Sequence, residues 1–109
     1  MRGMLRLFVV VLVLVVFGPA NLKAGASSED AAAFVKAAEE TLLKLWIDQE
    51  RAHWVKATYI THDTEILAAQ ADEAVMKFVA EAAAEATRFD GLKLSREVAR
   101  KLHLLKIAT

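Results

Sequence analysis

The sequence predicts an all-α chain. Beyond residue 26 it has no Pro and a single Gly, Gly91. Apolar residues there recur at spacings of three and four, the period of a helix that buries one face. No pair of alternating segments is joined by hairpin chemistry. The expected architecture is a leader, a long antiparallel helical hairpin and a third helix.

The leader is read first. Met1 to Arg6 carries Arg2 and Arg6, Leu7 to Phe17 is an unbroken apolar run, and Gly18-Pro19 breaks it. Ala24-Gly25-Ala26 then offers a small-x-small cleavage site. That order is the order of a secretory signal peptide. The run is shorter than the roughly 20 residues a spanning helix needs. Residues 1–26 are therefore expected to be a signal peptide, with cleavage after Ala26 and with Ala20 and Ala24 as alternatives. The expected location is periplasmic or extracellular. A retained leader would instead anchor the chain in a membrane by its N-terminal segment. With no Cys, the exported part has no disulfide framework, no thiolate zinc site and no lipoprotein anchor.

Residues 27–109 carry 11 bases against 14 acids, a net charge of −3. A nucleic-acid partner needs a basic face, so that class is set aside. A domain this small without staples is marginally stable alone.

Ser27-Ser28-Glu29-Asp30 combines hydroxyl caps with first-turn acids and predicts a helix from about Ser28 to Thr58. Phe34, Ala38, Leu42, Leu45 and Trp46 form its expected apolar face. Tyr59 and Ile60 favour extended backbone and place the turn at Tyr59 to His62. A second helix is expected from Asp63 to Phe89, with Thr61 and Asp63 as credible caps. Its stripe reads Leu67, Ala71, Val75, Phe78, Ala82, Ala86, Phe89, the seam of a closely packed pair. Its small Ala residues let a partner backbone approach. Asp90-Gly91 ends it, Gly being suited to the left-handed C-terminal conformation. A third helix is expected over Ser95–Thr109, burying Val98, Leu102 and Leu105, with Leu94 and Ala99 as a weak staple. No Gly, Pro or polar cluster closes it, so a longer parent domain is expected.

Few residues suggest chemistry. His62 and Glu65 are three apart near a helix start, a spacing compatible with a shared metal. No third ligand is in sight, and capping by Thr61 and Asp63 explains the cluster better. His53 is read as solvated on the polar side of the first helix. His103 sits beside Arg100-Lys101, where it favours a helix C-terminus. Glu39 and Glu40 point about 100° apart and do not converge as an acid/base pair; Glu40 is expected to pair with Lys44 at i+4. Trp46 is expected to pack on the second helix. Five bases against one acid over Leu92–Thr109, and seven acids against two bases over His62–Asp90, suggest that the third helix lies against the second helix or against missing acidic structure.

One ordered set of residues stands apart: Trp54, Thr58, Ile60, Thr61 and Thr64 between two long helices, then Arg88-Phe89-Asp90, Leu94-Ser95 and Arg100-Lys101-Leu102. It resembles the N-terminal helices of peptidase family M2, the angiotensin-converting-enzyme family of zinc peptidyl-dipeptidases. Animal members tend to have Asn where Tyr59 stands, so the resemblance points to the bacterial branch.

The resemblance implies a large helical domain with a deep cleft, over which the first helices form a lid. It implies zinc held by the two His of His-Glu-x-x-His and a later Glu, with the motif's own Glu activating the zinc-bound water. That motif occurs nowhere in this sequence, so zinc is implied for the full-length family member only. No catalytic residue and no metal ligand is carried over. Trp54, Thr58, Ile60, Thr61 and Thr64 take a structural role at the lid's first turn.

The expectation is thus an N-terminal segment, residues 27–109, of an exported peptidase releasing C-terminal dipeptides. The implied partners are a peptide substrate of the full-length protein and the missing C-terminal catalytic part. The segment alone is expected to be inactive. The alternatives are a small exported helical binding or oligomerisation module, and a single-pass anchored helical protein.

Overall fold

A computed structural model describes residues 26–109. The leader reading lies outside the described residues, apart from Ala26. Three helices follow in order: α1 (Ser28–Thr58), α2 (His62–Ala86) and α3 (Arg96–Ile107), with a 3-10 turn at Thr87–Phe89 between the last two. No strand occurs among the described residues, and no helix among them is long and apolar enough to cross a membrane.

Each helix starts where its chemistry directs. Ser27 caps α1 reciprocally with Asp30: the Asp30 N–H donates to the Ser27 hydroxyl at 3.1 Å, and the Ser27 N–H donates to the Asp30 carboxylate at 3.0 Å. Two otherwise orphaned donors are satisfied this way. The Ser27 backbone N–H, and then its hydroxyl, hold the Asp30 carboxyl below its ordinary pKa. The bounds of α1 match the sequence expectation. α2 begins one residue earlier than expected and gives way to the 3-10 turn at Thr87, whose hydroxyl donates to the Ala84 carbonyl at 2.7 Å. Gly91, at φ 78°, reverses the chain as its left-handed conformation requires. Ser95 is the N-cap of α3, its hydroxyl accepting from the Val98 N–H at 3.3 Å.

α1 and α2 run antiparallel. Phe34 meets Phe89 at 5.3 Å between ring centroids, while Gln49 reaches Asp72. Numbers that rise along α1 therefore meet numbers that fall along α2. The three helices share a core at one end of the hairpin: Ala31, Val35, Ala86, Phe89 and Leu102, with Phe34, Leu92, Leu94 and Val98 packed around it. Towards the turn, the hairpin is sealed by Ala38, Leu42, Ala68 and Val75.

Several expectations are corrected. Leu67 is 53% exposed, and the buried positions near the start of α2 are Thr64 and Ala68. Trp46 is 50% exposed rather than packed into the hairpin. The seam is built from small residues, which leaves no room for an indole between the backbones. Glu40 pairs back to Lys36 at 4.0 Å, not forward to Lys44. Leu94 goes to the core and Ala99 is exposed, so they make no staple. The third helix is shorter at both ends than expected.

Candidate functional site

Three features stand out along the hairpin. The first is the turn itself. α1 ends because the Tyr59 N–H closes its last bond to the Val55 carbonyl at 2.8 Å, while the Tyr59 backbone leaves helical conformation (φ −140°, ψ 87°). The Thr58 hydroxyl donates back to the Trp54 carbonyl at 2.9 Å, satisfying one terminal acceptor. Thr61 caps α2. Its hydroxyl accepts from the Thr64 N–H at 3.1 Å, and the Thr64 hydroxyl accepts from the Thr61 N–H at 3.0 Å. The Thr64 hydroxyl also donates across the turn to the Tyr59 carbonyl at 2.7 Å. It is 6% exposed, the buried polar residue on which the turn is folded.

Of the five residues in the sequence block, Thr61 and Thr64 bond each other at the start of α2, and Thr58 bonds back into the last turn of α1. The side chains of Trp54 and Ile60, in residues 71% and 76% exposed, leave their apolar surfaces open.

The second feature is a polar link between the helices. Asp72 on α2 takes the Gln49 side-chain amide at 2.8 Å and the His53 Nε2 at 2.7 Å on one carboxylate oxygen. The hydrogen bond from His53, followed by that from Gln49, holds the Asp72 carboxyl below its ordinary value. His53 is thus turned towards α2 while its side chain stays 42% exposed. Sequence periodicity missed the pair because two polar residues 19 positions apart carry no shared period. The signal was faint but present: His53 lies eleven residues after Leu42, on the buried side of the helical wheel. Both partners of Asp72 are hydrogen-bond donors and neither is a nucleophile, so the arrangement is a tie and not a triad.

The third feature is an apolar groove of about 450 Å³ where the three helices meet, lined by Val35, Leu42 and Trp46 of α1, Val79 of α2 and Leu104 and Leu105 of α3 among others. Lys101 spans its rim. Its ammonium reaches Glu39 of α1 at 2.8 Å and Glu97 at 3.0 Å. Bonds to Glu39 first, and then to Glu97, raise the Lys101 pKa above its ordinary value. Glu39, which makes no acid/base pair with Glu40, thereby fastens α3 to α1. Lys106 pairs with Asp90 at the other side of α3. The basic third helix therefore lies on acids of α1 and of the α2–α3 connection.

The residues do not fit a zinc site. Among the described residues no three His, Cys, Asp or Glu side chains cluster to hold a metal. Zinc takes three or four such ligands. His53 with Asp72 is only a pair, and His62 with Glu65 gains no third partner.

The model of peptidase family M2, described as angiotensin-converting enzyme, matches residues 25–109. This chain belongs to peptidase family M2. No curated protein and no solved structure matches it. The matched span takes in all three helices, so the turn, the polar link and the groove are features of an M2 segment, and the family it comes from is one of peptidases.

Proposed function

We propose that this chain is the N-terminal lid segment of an exported zinc peptidyl-dipeptidase, which releases C-terminal dipeptides from peptides, and that the segment has no activity alone. The family match across all three helices carries this reading. Two physical features support it. The sequence contains no His-Glu-x-x-His, and the described residues offer no three-ligand cluster. Zinc chemistry therefore belongs to another part of the enzyme, where the metal would lower the pKa of its water and polarise the scissile carbonyl. The segment also leaves Leu43, Ile47, Leu104 and Ile107 open to solvent. An apolar surface of that extent marks a place where further structure packs.

In this reading Thr58, closing α1, and the Thr61–Thr64 pair, opening α2, hold the lid's first turn, and Trp54 and Ile60 face the rest of the enzyme. The partners are the catalytic part and, through it, the peptide. Export rests on the charged, apolar, small order of residues 1–26.

The test has two arms. In the coding DNA an open frame past Thr109 that contains His-Glu-x-x-His is expected; a stop codon directly after Thr109 would overturn the reading. The purified chain, given zinc and a blocked tripeptide, is expected to release no dipeptide. Chelator-sensitive release would overturn the claim of inactivity.

A further inference from the structure

Ala26 belongs to the fold. It is partly buried and packs against the shared core of Ala31, Val35, Ala86, Phe89 and Leu102. Ser27 follows it as the N-cap of α1, in extended conformation (φ −102°, ψ 168°), with its backbone N–H on the Asp30 carboxylate at 3.0 Å. The Ser27 nitrogen is an amide only while Ala26 is attached to it. Cleavage after Ala26 undoes both features. It strips Ala26 from the core, and it turns the capping amide into an ammonium at the positive end of the helix macrodipole. It also makes the capping residue a chain end, and chain ends fray unless they are tied down.

Of the three small-residue sites in the leader, the fold therefore argues against the one after Ala26. The sequence argues against the one after Ala24. A small-x-small site needs a small residue just before the cut and another two positions further back. Before Ala24 that second position is Leu22. Before Ala20 it is Gly18, in Gly18-Pro19-Ala20, directly after the apolar run that ends at Phe17.

We propose that the leader is removed after Ala20, so that the exported chain begins at Asn21 and keeps Ala26 for the core. The inference rests on the export reading and is independent of the peptidase reading. The bond broken is the peptide bond between Ala20 and Asn21. Water supplies the hydroxyl that completes the Ala20 carboxyl group and the proton taken by the Asn21 nitrogen, with the host's leader peptidase as catalyst. That enzyme reads the chain before it folds, so the sequence directs the cut. The fold sets which product is sound. With residues 21–26 retained, Ser27 stays an amide and Ala26 stays on the core.

The experiment is expression of the full chain in a bacterial host, with the N-terminus of the released protein read by stepwise degradation and intact mass. Asn21 is expected as the first residue. Gly25 or Ser27 in that place overturns this site and leaves export standing. Met1 retained in the membrane fraction overturns the export reading, and the proposal with it. Ala24 supplies a small residue to both rival sites, so Ala24→Gln spoils the two together. That variant should release the same chain in the same amount, and loss of release overturns the proposal. Ala20→Gln should abolish the Asn21 terminus, and its persistence overturns the proposal. Ala26→Gln tests the structural half. A longer polar side chain does not fit where the Ala26 methyl meets the core, and the Tm of the released chain should fall by ~4 °C or more. An unchanged Tm would show that the fold makes no use of Ala26 and would overturn the reason for keeping it.

Discussion

Thr61 and Thr64 cap each other: each hydroxyl accepts the other's backbone N–H, at 3.1 and 3.0 Å. Thr64 is the more consequential of the two, because its proton also reaches the Tyr59 carbonyl from a buried position. Thr64→Val keeps the shape and removes the oxygen, leaving the Thr61 N–H and the Tyr59 carbonyl without this partner. A loss of about 1–3 kcal/mol is expected. Thr64→Ser should recover most of it. Thr61→Ala removes a cap and should cost about 1 kcal/mol. Urea unfolding followed by circular dichroism checks all three.

The His53–Asp72 tie predicts a specific acid sensitivity. The Asp72 carboxyl is held below its ordinary value, first by His53 and then by Gln49. A depressed carboxyl contributes stability that is fully present above its unfolded value, about 3.9, and lost as pH falls through the lower folded value. Asp72→Asn cannot titrate, and its amide oxygen still accepts from Gln49. Its stability should therefore fall less steeply than that of the unaltered chain below pH about 4. Parallel denaturation series from neutral to acid pH test this. Curves of equal slope would show that the pair contributes nothing.

Much of the fold was legible because it rests on local chemistry. Ser27, Thr61, Ser95 and Gly91 punctuate the helices, and each does so through bonds to residues three or four positions away or through its own φ. The seam from Val75 to Phe89 was legible for the same reason, since regular apolar spacing points one way. Near the turn that logic fails. Burial of Thr64 for its hydrogen bonds rotates the inward face, so Ala68 enters the seam where Leu67 was expected. Trp46 was misplaced because its spacing continues the apolar stripe, whereas it stands half exposed at the edge of the groove. The Asp72 tie and the Glu39–Lys101 link join elements distant in sequence, and no single-helix period encodes them. In the candidate site, the Thr61 cap was legible and the interhelical pairs were not.

Phe89 should be the side chain on which the shared core most depends. It is the largest fully buried one, packed on Phe34 and covered by the Arg88 guanidinium at 4.6 Å from its ring centroid. Phe89→Ala is expected to cost about 3–5 kcal/mol. A domain of this size has only about 5–15 kcal/mol in total. The variant should lose its cooperative thermal transition or melt far below the unaltered chain. Arg88→Ala removes only the exposed cation over the ring and should cost about 0.5–1 kcal/mol. Two variants equally damaged would contradict this assignment of the core.

Gly91 tests whether the reversal after Phe89 depends on backbone freedom or on space. Its φ of 78° lies in the left-handed region, and a Cβ built there meets nothing within 4 Å. Steric clash with other elements therefore plays no part, and only the backbone conformation is penalised. Holding an ordinary residue left-handed costs about 1–2 kcal/mol. The stiffer unfolded chain of an Ala variant offsets only part of that cost, because the native conformation is one that Ala does not adopt without strain. Gly91→Ala should lower Tm by about 4–8 °C for each kcal/mol lost in a domain of this length. Gly91→Asn should lower it less, since Asn tolerates the left-handed region better. Because Asp90, one residue before it, anchors Lys106 of α3, the Ala variant should also loosen α3 before it loosens the hairpin. Hydrogen exchange faster in Arg96–Ile107 than in Ser28–Thr58 would register that order. Uniform acceleration across all three helices would show instead that α3 and the hairpin open as one unit.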